Sequence, residues 1–162
     1  MTKTAMFPRV VGAGQGPTYR VAAELVTFKA VAEDTGGAYS LFEARTPPRA
    51  GVPAHLQRYE DETFFVLEGT YTLLIDGERR ELHAGDYAFV PRGTVHGFTN
   101  SGDAPALHLT LVTPGGIHEH FFAEVGELVV GPHDPPAPAG PPDLVWLAAV
   151  ATKHGIEIEV PP

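Results

Sequence analysis

The residues with most chemistry to offer fall in two blocks, residues 51–69 and residues 85–100. The first runs from Gly51 through His55, Gln57 and Glu62 to Gly69, and the second from Gly85 through Pro91, Gly93 and His96 to Asn100. His55 and Gln57 are two positions apart, so on a strand both side chains reach the same face. Glu62 opens the next apolar stretch, where it too could face inward. Pro91 and Gly93 make a tight turn that delivers His96 at the start of another strand, and Asn100 can close the following turn through its side chain. Two imidazoles and a carboxylate converging inside a barrel form a mixed nitrogen and oxygen site for one divalent metal ion. Fe, Ni, Mn, Co, Cu and Zn all suit such donors, and the donor set does not choose among them.

The composition narrows what can surround such a site. A chain of 162 residues is one ordinary domain, long enough to bury a core without staples. Cysteine is absent, which excludes disulfides, thiolate metal sites, iron–sulfur clusters and thiol nucleophiles. The formal charge of −9 argues against nucleic acid and anionic membrane surfaces as partners, since their phosphates call for a basic face. Most of that charge lies in residues 101–162, which carry eight acids against the single base Lys153. The amino terminus has no apolar core of a signal peptide and the longest apolar run, Leu144 to Ala151, is far too short for a bilayer span, so a cytoplasmic location is expected.

The elements that must position the two blocks are short and numerous. Gly 18 and Pro 16 suit many turns better than long helices. Apolar runs of strand length cover residues 24–31, 38–45, 63–67, 70–75, 80–83, 87–90, 95–98 and 106–113, separated by turn signals such as Asp76-Gly77, which favours a tight type I′ hairpin. This spacing predicts an all-β antiparallel sandwich or barrel. Residues 1–19 read as an extended N-terminal arm and residues 20–114 as the barrel, with a helical extension over residues 115–162. In that extension Ile117, Phe121, Phe122 and Val125 predict one short helix ending at Gly126. A stiff Pro-rich connector follows at residues 131–142, and Asp143 then caps a second helix that stops at Gly155.

The two blocks resemble the paired motifs of the cupin superfamily, G-x5-H-x-H-x(3,4)-E-x6-G and G-x5-P-x-G-x2-H-x3-N. The second block matches at Gly85, Pro91, Gly93, His96 and Asn100. The first matches at His55, Glu62 and Gly69 and departs at Gln57, where the pattern has its second histidine; Gly51 also stands two residues too close to His55. The stretch EDETFFVLEG and the tail GGIHEHFFAEVGE further resemble single-domain cupins of the quercetin (flavonol) 2,3-dioxygenase kind. The resemblance implies a double-stranded β-helix, or jelly-roll barrel, with a divalent metal held by His55, Glu62 and His96. It also implies a substrate that binds the metal as an anion after giving its proton to Glu62, and a homodimer. Gln57 is a weaker ligand than imidazole, through its carbonyl oxygen, or else a hydrogen-bonding group beside the metal.

Three readings of function follow. One is a metal-dependent oxygenase acting with dioxygen on a small aromatic or enolic molecule. Another is a non-enzymatic cupin that binds a small molecule or metal with a degraded site, and the third a metal-dependent isomerase. Phe64, Val66, Phe98 and Tyr87 could line an apolar substrate pocket or simply be core. His108 shares a strand face with Thr110 and Val112; if that face points inward it reaches the same interior, where it could take the place of the missing ligand or contact the substrate. His118 and His120 lie on opposite sides of a helix and are assigned no ligand role, while His83, His133 and His154 read as surface or turn residues. Glu60 and Asp61 read as a solvated loop.

Overall fold

The alternation read in the sequence becomes two antiparallel sheets packed face to face. The structure is a computed structural model that describes residues 6–130 and 142–159. The strands are β1 (Thr18–Val21), β2 (Glu24–Ala30), β3 (Ser40–Thr46), β4 (Gly51–Gln57), β5 (Asp61–Glu68), β6 (Thr70–Ile75), β7 (Glu78–His83), β8 (Tyr87–Val90), β9 (His96–Asn100), β10 (Ala106–Thr113), β11 (Glu127–Leu128) and β12 (Ile156–Ile158). Three helices join them: α1 (Ala32–Thr35), α2 (Ile117–Val125) and α3 (Leu144–Lys153). One sheet has the order β11-β1-β2-β3-β10-β5-β8 and the other β12-β4-β9-β6-β7. This is the jelly roll expected, built as a sandwich. Among the described residues the sheet edges are not joined to one another, so no closed barrel forms.

Side-chain alternation drives the packing. In β3 and β10 every second residue is buried, which places Phe42, Ala44 and Thr46 beside His108, Thr110 and Val112 on the inner face. Phe64, Val66, Tyr71, Leu73, Val90 and Phe98 form the core between the sheets at one end. The β6–β7 hairpin turns at Asp76 and Gly77, whose φ angles of 47° and 82° are the two positive values that a type I′ turn demands. Gly51 has a different task. A Cβ there would stand 2.0 Å from the Phe98 carbonyl oxygen, so only glycine lets β4 approach β9 this closely.

The C-terminal segment is more than an appendage. Asp143 accepts a hydrogen bond from the Trp146 amide and caps α3, as the sequence predicts. The chain then turns back so that β12 pairs with β4, Ile156 opposite Gln57 and Ile158 opposite His55. Val150, Ala151 and Ile156 pack on Phe121 of α2, forming a second apolar cluster beside the first motif block. Residues 131–141, which hold His133 and nearly all of the expected connector, and residues 1–5 of the expected arm lie outside the described residues. No helix among the described residues is long and apolar enough to cross a membrane.

Candidate metal centre

Three strands deliver the donor groups to the inner space. β4 supplies His55 and Gln57, β5 supplies Glu62, and β9 starts at His96; His55 and His96 stand opposite each other in the β4–β9 ladder. The turn that sets His96 is docked on both neighbours. The Gly93 amide donates to the Gln57 carbonyl at 2.8 Å, and Arg92 clamps Asp61 with its backbone amide at 2.9 Å, Nε at 3.0 Å and Nη2 at 2.9 Å. That forked ion pair holds the Asp61 carboxyl down at about 2. Behind His96, Asn100 donates to the Thr46 and Ala104 carbonyls and accepts from the Gly102 amide, which closes the turn after β9.

His55, Glu62 and His96 are all buried, and one donor atom from each lies within 4.8 Å of the others. The orientation of the rings fits a metal. His55 Nδ1 donates to the Pro53 carbonyl at 2.9 Å and His96 Nδ1 donates to the Thr94 carbonyl at 2.9 Å, which turns Nε2 of each ring inward. A backbone carbonyl on the outer nitrogen is the support that fixes the tautomer and aim of a metal-binding histidine. Burial pushes His55 down to about 4, with the neighbouring His96 charge adding to the effect, so at neutral pH its Nε2 carries a free lone pair.

Charges within the site are balanced by pairs. His96 Nε2 donates to Glu62 Oε2 at 2.9 Å, and because Nδ1 also donates, the ring is an imidazolium. Burial pushes this ring down, but the hydrogen bond to Glu62 and the carboxylate charge outweigh it and hold the ring above its ordinary value. Glu62 shows the converse. Burial raises it, yet the His96 hydrogen bond and the charges of His118, His96 and His55 bring it to about 2. Gln57 lies beside this pair: its Nε2 donates to Glu62 Oε2 at 2.6 Å.

His118, which helical spacing leaves without a ligand role, and Glu60, expected in a solvated loop, are instead both buried at the site. His118 Nδ1 donates to Glu60 Oε2 at 2.6 Å, and its Nε2 lies 3.4 Å from Gln57 Nε2. Burial lowers the His118 imidazole, but the Glu60 charge and hydrogen bond reverse this and hold it raised. The sequence did carry a signal: His118, Phe121, Phe122 and Val125 have the spacing of one helix face. His120, on the other side, is exposed, as expected. His83 is exposed, and His154 is half-buried with its Nε2 bonded to Glu124.

A cavity of about 120 Å³ opens beside the donors. His55, Glu62, Phe98, His108 and His118 all border it, while α2, α3 and β12 supply apolar walls through Phe121, Leu144, Leu147, Ile156 and Ile158. Phe64 and Val66 lie behind it in the core, around a smaller void with Tyr71, Leu73, Leu82, Phe98 and His108. Phe64 stacks edge-on to His96, Phe98 and His108.

Comparison with known proteins agrees with this architecture. Residues 42–113 match the model of the cupin domain. The chain is 29% identical over 120 residues to quercetin 2,3-dioxygenase of Bacillus subtilis, an overlap of 74% of this chain and 35% of that protein. Its fold superposes on an RmlC-like cupin from Shewanella frigidimarina with a TM-score of 0.59 at 17% identity, covering 67% of this chain and 93% of the other. It also superposes on KdgF from Halomonas, with a TM-score of 0.55 at 19% identity, covering 60% and 86%. Residues 42–113 thus match the cupin domain in sequence, and the fold around them is similar to that of solved cupins. The chain spans between 35% and 64% of the length of the curated relatives it matches.

Proposed function

We propose that this protein is a metal-dependent cupin oxygenase that acts with dioxygen on a small aromatic or enolic substrate. The observation that carries the reading is the buried trio of His55, Glu62 and His96, with both imidazoles aimed by backbone carbonyls and an apolar cavity beside them. The likeness to quercetin 2,3-dioxygenase adds support over the shared part of the chain. One divalent ion of the Fe, Ni, Mn, Co, Cu or Zn group, held by the trio, would supply Lewis acidity for an enolate or phenolate oxygen and a place for dioxygen. The chain does the rest. Glu62, kept ionised, accepts the substrate hydroxyl proton, and Gln57 steadies its Oε2. Phe98 and the apolar side chains of α2, α3 and β12 hold the ring and exclude water.

Cavity size favours a substrate of one ring. At roughly 10–15 Å³ for each water-sized group, the space holds about ten non-hydrogen atoms. A second reading rests on Gln57, which holds Glu62 by a hydrogen bond where the family's pattern has an imidazole: a cupin that binds metal or a small molecule without turnover. An oxygen electrode separates the two. Protein loaded with Fe(II), Ni(II) or Mn(II) and given catechol consumes dioxygen under the first reading, and Glu62→Ala abolishes the uptake. Loaded protein with no uptake supports the second. The outer face of the longer sheet leaves Phe65, Leu67, Tyr87 and Phe89 exposed on adjacent strands, an apolar patch that suits a homodimer; the oligomeric mass in solution tests this.

A further inference from the structure

The cavity has a second polar region, away from the metal ligands, that the reaction outlined above leaves idle. Glu24 on β2 is buried and borders the cavity. Its Oε1 accepts a hydrogen bond from the Thr46 hydroxyl at 2.6 Å, and that hydroxyl accepts in turn from Tyr71 at 3.0 Å. Among the described residues Oε2 has no hydrogen bond. His108 on β10 borders the same cavity and is 3% exposed; its Nδ1 is bonded to the Thr110 hydroxyl at 2.9 Å, and its Nε2 is buried with no partner among the described residues. A buried polar atom with no partner is rare and marks a place where something else completes the bond.

Register sets these groups apart from the metal ligands. Glu62 faces Val112 in the β5–β10 ladder, whereas Thr46, which carries Glu24, pairs with Ala106 at the opposite end of β10. The small side chain of Ala44 faces His108 across the β3–β10 ladder and also borders the cavity, so it leaves room beside the ring. The two carboxyls differ in character. Glu62 is ionised, while burial raises Glu24 to about 7, against the pull of the Thr46 hydrogen bond and with a further push from the Glu62 charge. Two carboxyls bordering one cavity with their proton affinities driven apart are a pattern of divided roles. A protonated Glu24 donates from Oε2. His108, held neutral at about 4 by burial, offers a second hydrogen-bonding atom.

We propose that Glu24 and His108 form a recognition subsite for a hydroxyl or carbonyl oxygen of the ligand, distal to the oxygen that approaches His55, Glu62 and His96. The ligand class is then a single apolar ring or enol with oxygen functions at both ends. The proposal rests on the reading of this cavity as the substrate site, and it concerns only what the far end selects.

The test compares two probes of equal shape on the metal-free protein, para-hydroxybenzyl alcohol and para-ethylphenol, by isothermal titration calorimetry. Both carry a phenolic oxygen, and only the first has a hydroxyl at the other end. Wild type is expected to bind the alcohol about tenfold more tightly, the discrimination a buried hydrogen bond provides. Glu24→Leu and His108→Phe should each erase or invert that preference, while Glu24→Gln, which keeps donor and acceptor, should retain it. His108→Phe preserves the aromatic packing and so serves if Glu24→Leu does not fold. Equal affinity for the two probes in wild type, absence of binding by either, or a preference that survives both apolar variants overturns the proposal. Metal content is measured separately. A protein that loads metal but shows no preference loses this subsite alone, and one that shows the preference but takes up no metal loses the oxygenase reading alone.

Discussion

Replacing Glu24 by Gln should make the metal-free protein more stable at alkaline pH and change the shape of its pH profile. In the native state the Glu24 carboxyl ionises at about 7, against an ordinary value of 4.5. A group raised in the folded state favours folding while it holds its proton, and that stability is lost as pH rises from the unfolded value through the folded one. Between pH 5 and pH 8 the wild-type loss assigned to this group is about 2–3 kcal/mol, from roughly 1.4 kcal/mol per pH unit over the interval where the two states differ. Gln is isosteric and its amide oxygen still accepts the Thr46 hydroxyl, so the variant keeps the packing and loses only the titration. Glu62 stays ionised throughout this range, and the unfolded-state titrations of the histidines are common to both proteins. Urea unfolding in EDTA at pH 5 and pH 8 for both proteins isolates the term as a difference of differences. Parallel profiles, with the variant gaining nothing at pH 8, would refute the assignment of a buried proton to Glu24.

Three further outcomes follow from the same geometry. Gln57→Leu removes the donor that holds Glu62 Oε2 and should weaken divalent-metal affinity about tenfold to a hundredfold while the protein stays folded, measured by competition with a chelating dye. Metal binding near pH 7 should release about one proton, because His96 must give up its Nε2 hydrogen to coordinate; calorimetry in buffers of different ionisation enthalpy counts it. Phe64→Ala, deep in the core against His96, Phe98 and His108, should cost about 3–5 kcal/mol in urea unfolding, whereas a residue on the open cavity wall would cost much less.

Much of the frame was legible because its signals are local. The runs at 70–75, 87–90 and 106–113 coincide with β6, β8 and β10, and the caps at Gly126 and Asp143 bound α2 and α3. The inward face of β10, and with it His108, follows from simple alternation. What the sequence hid depends on distant partners. β12 has three residues and no pattern of its own; it exists because β4 offers an edge beside His55 and Gln57. Glu60 looks like one of three solvated acids, and only the arrival of His118 from α2, far along the chain, makes its burial affordable. Glu24 opens a strand where an acid normally faces water. β2 is instead buried on both faces over Glu24–Phe28, a property of the surrounding layers that no residue within β2 encodes.

The central claim is that His55, Glu62 and His96 together hold one divalent ion. Untagged protein incubated with Fe(II), Ni(II) or Mn(II), desalted and measured by inductively coupled plasma mass spectrometry should carry close to one equivalent of metal, and His96→Ala should carry almost none. Wild type that remains empty with all three ions, or a His96→Ala variant that loads as fully as wild type, would contradict the account.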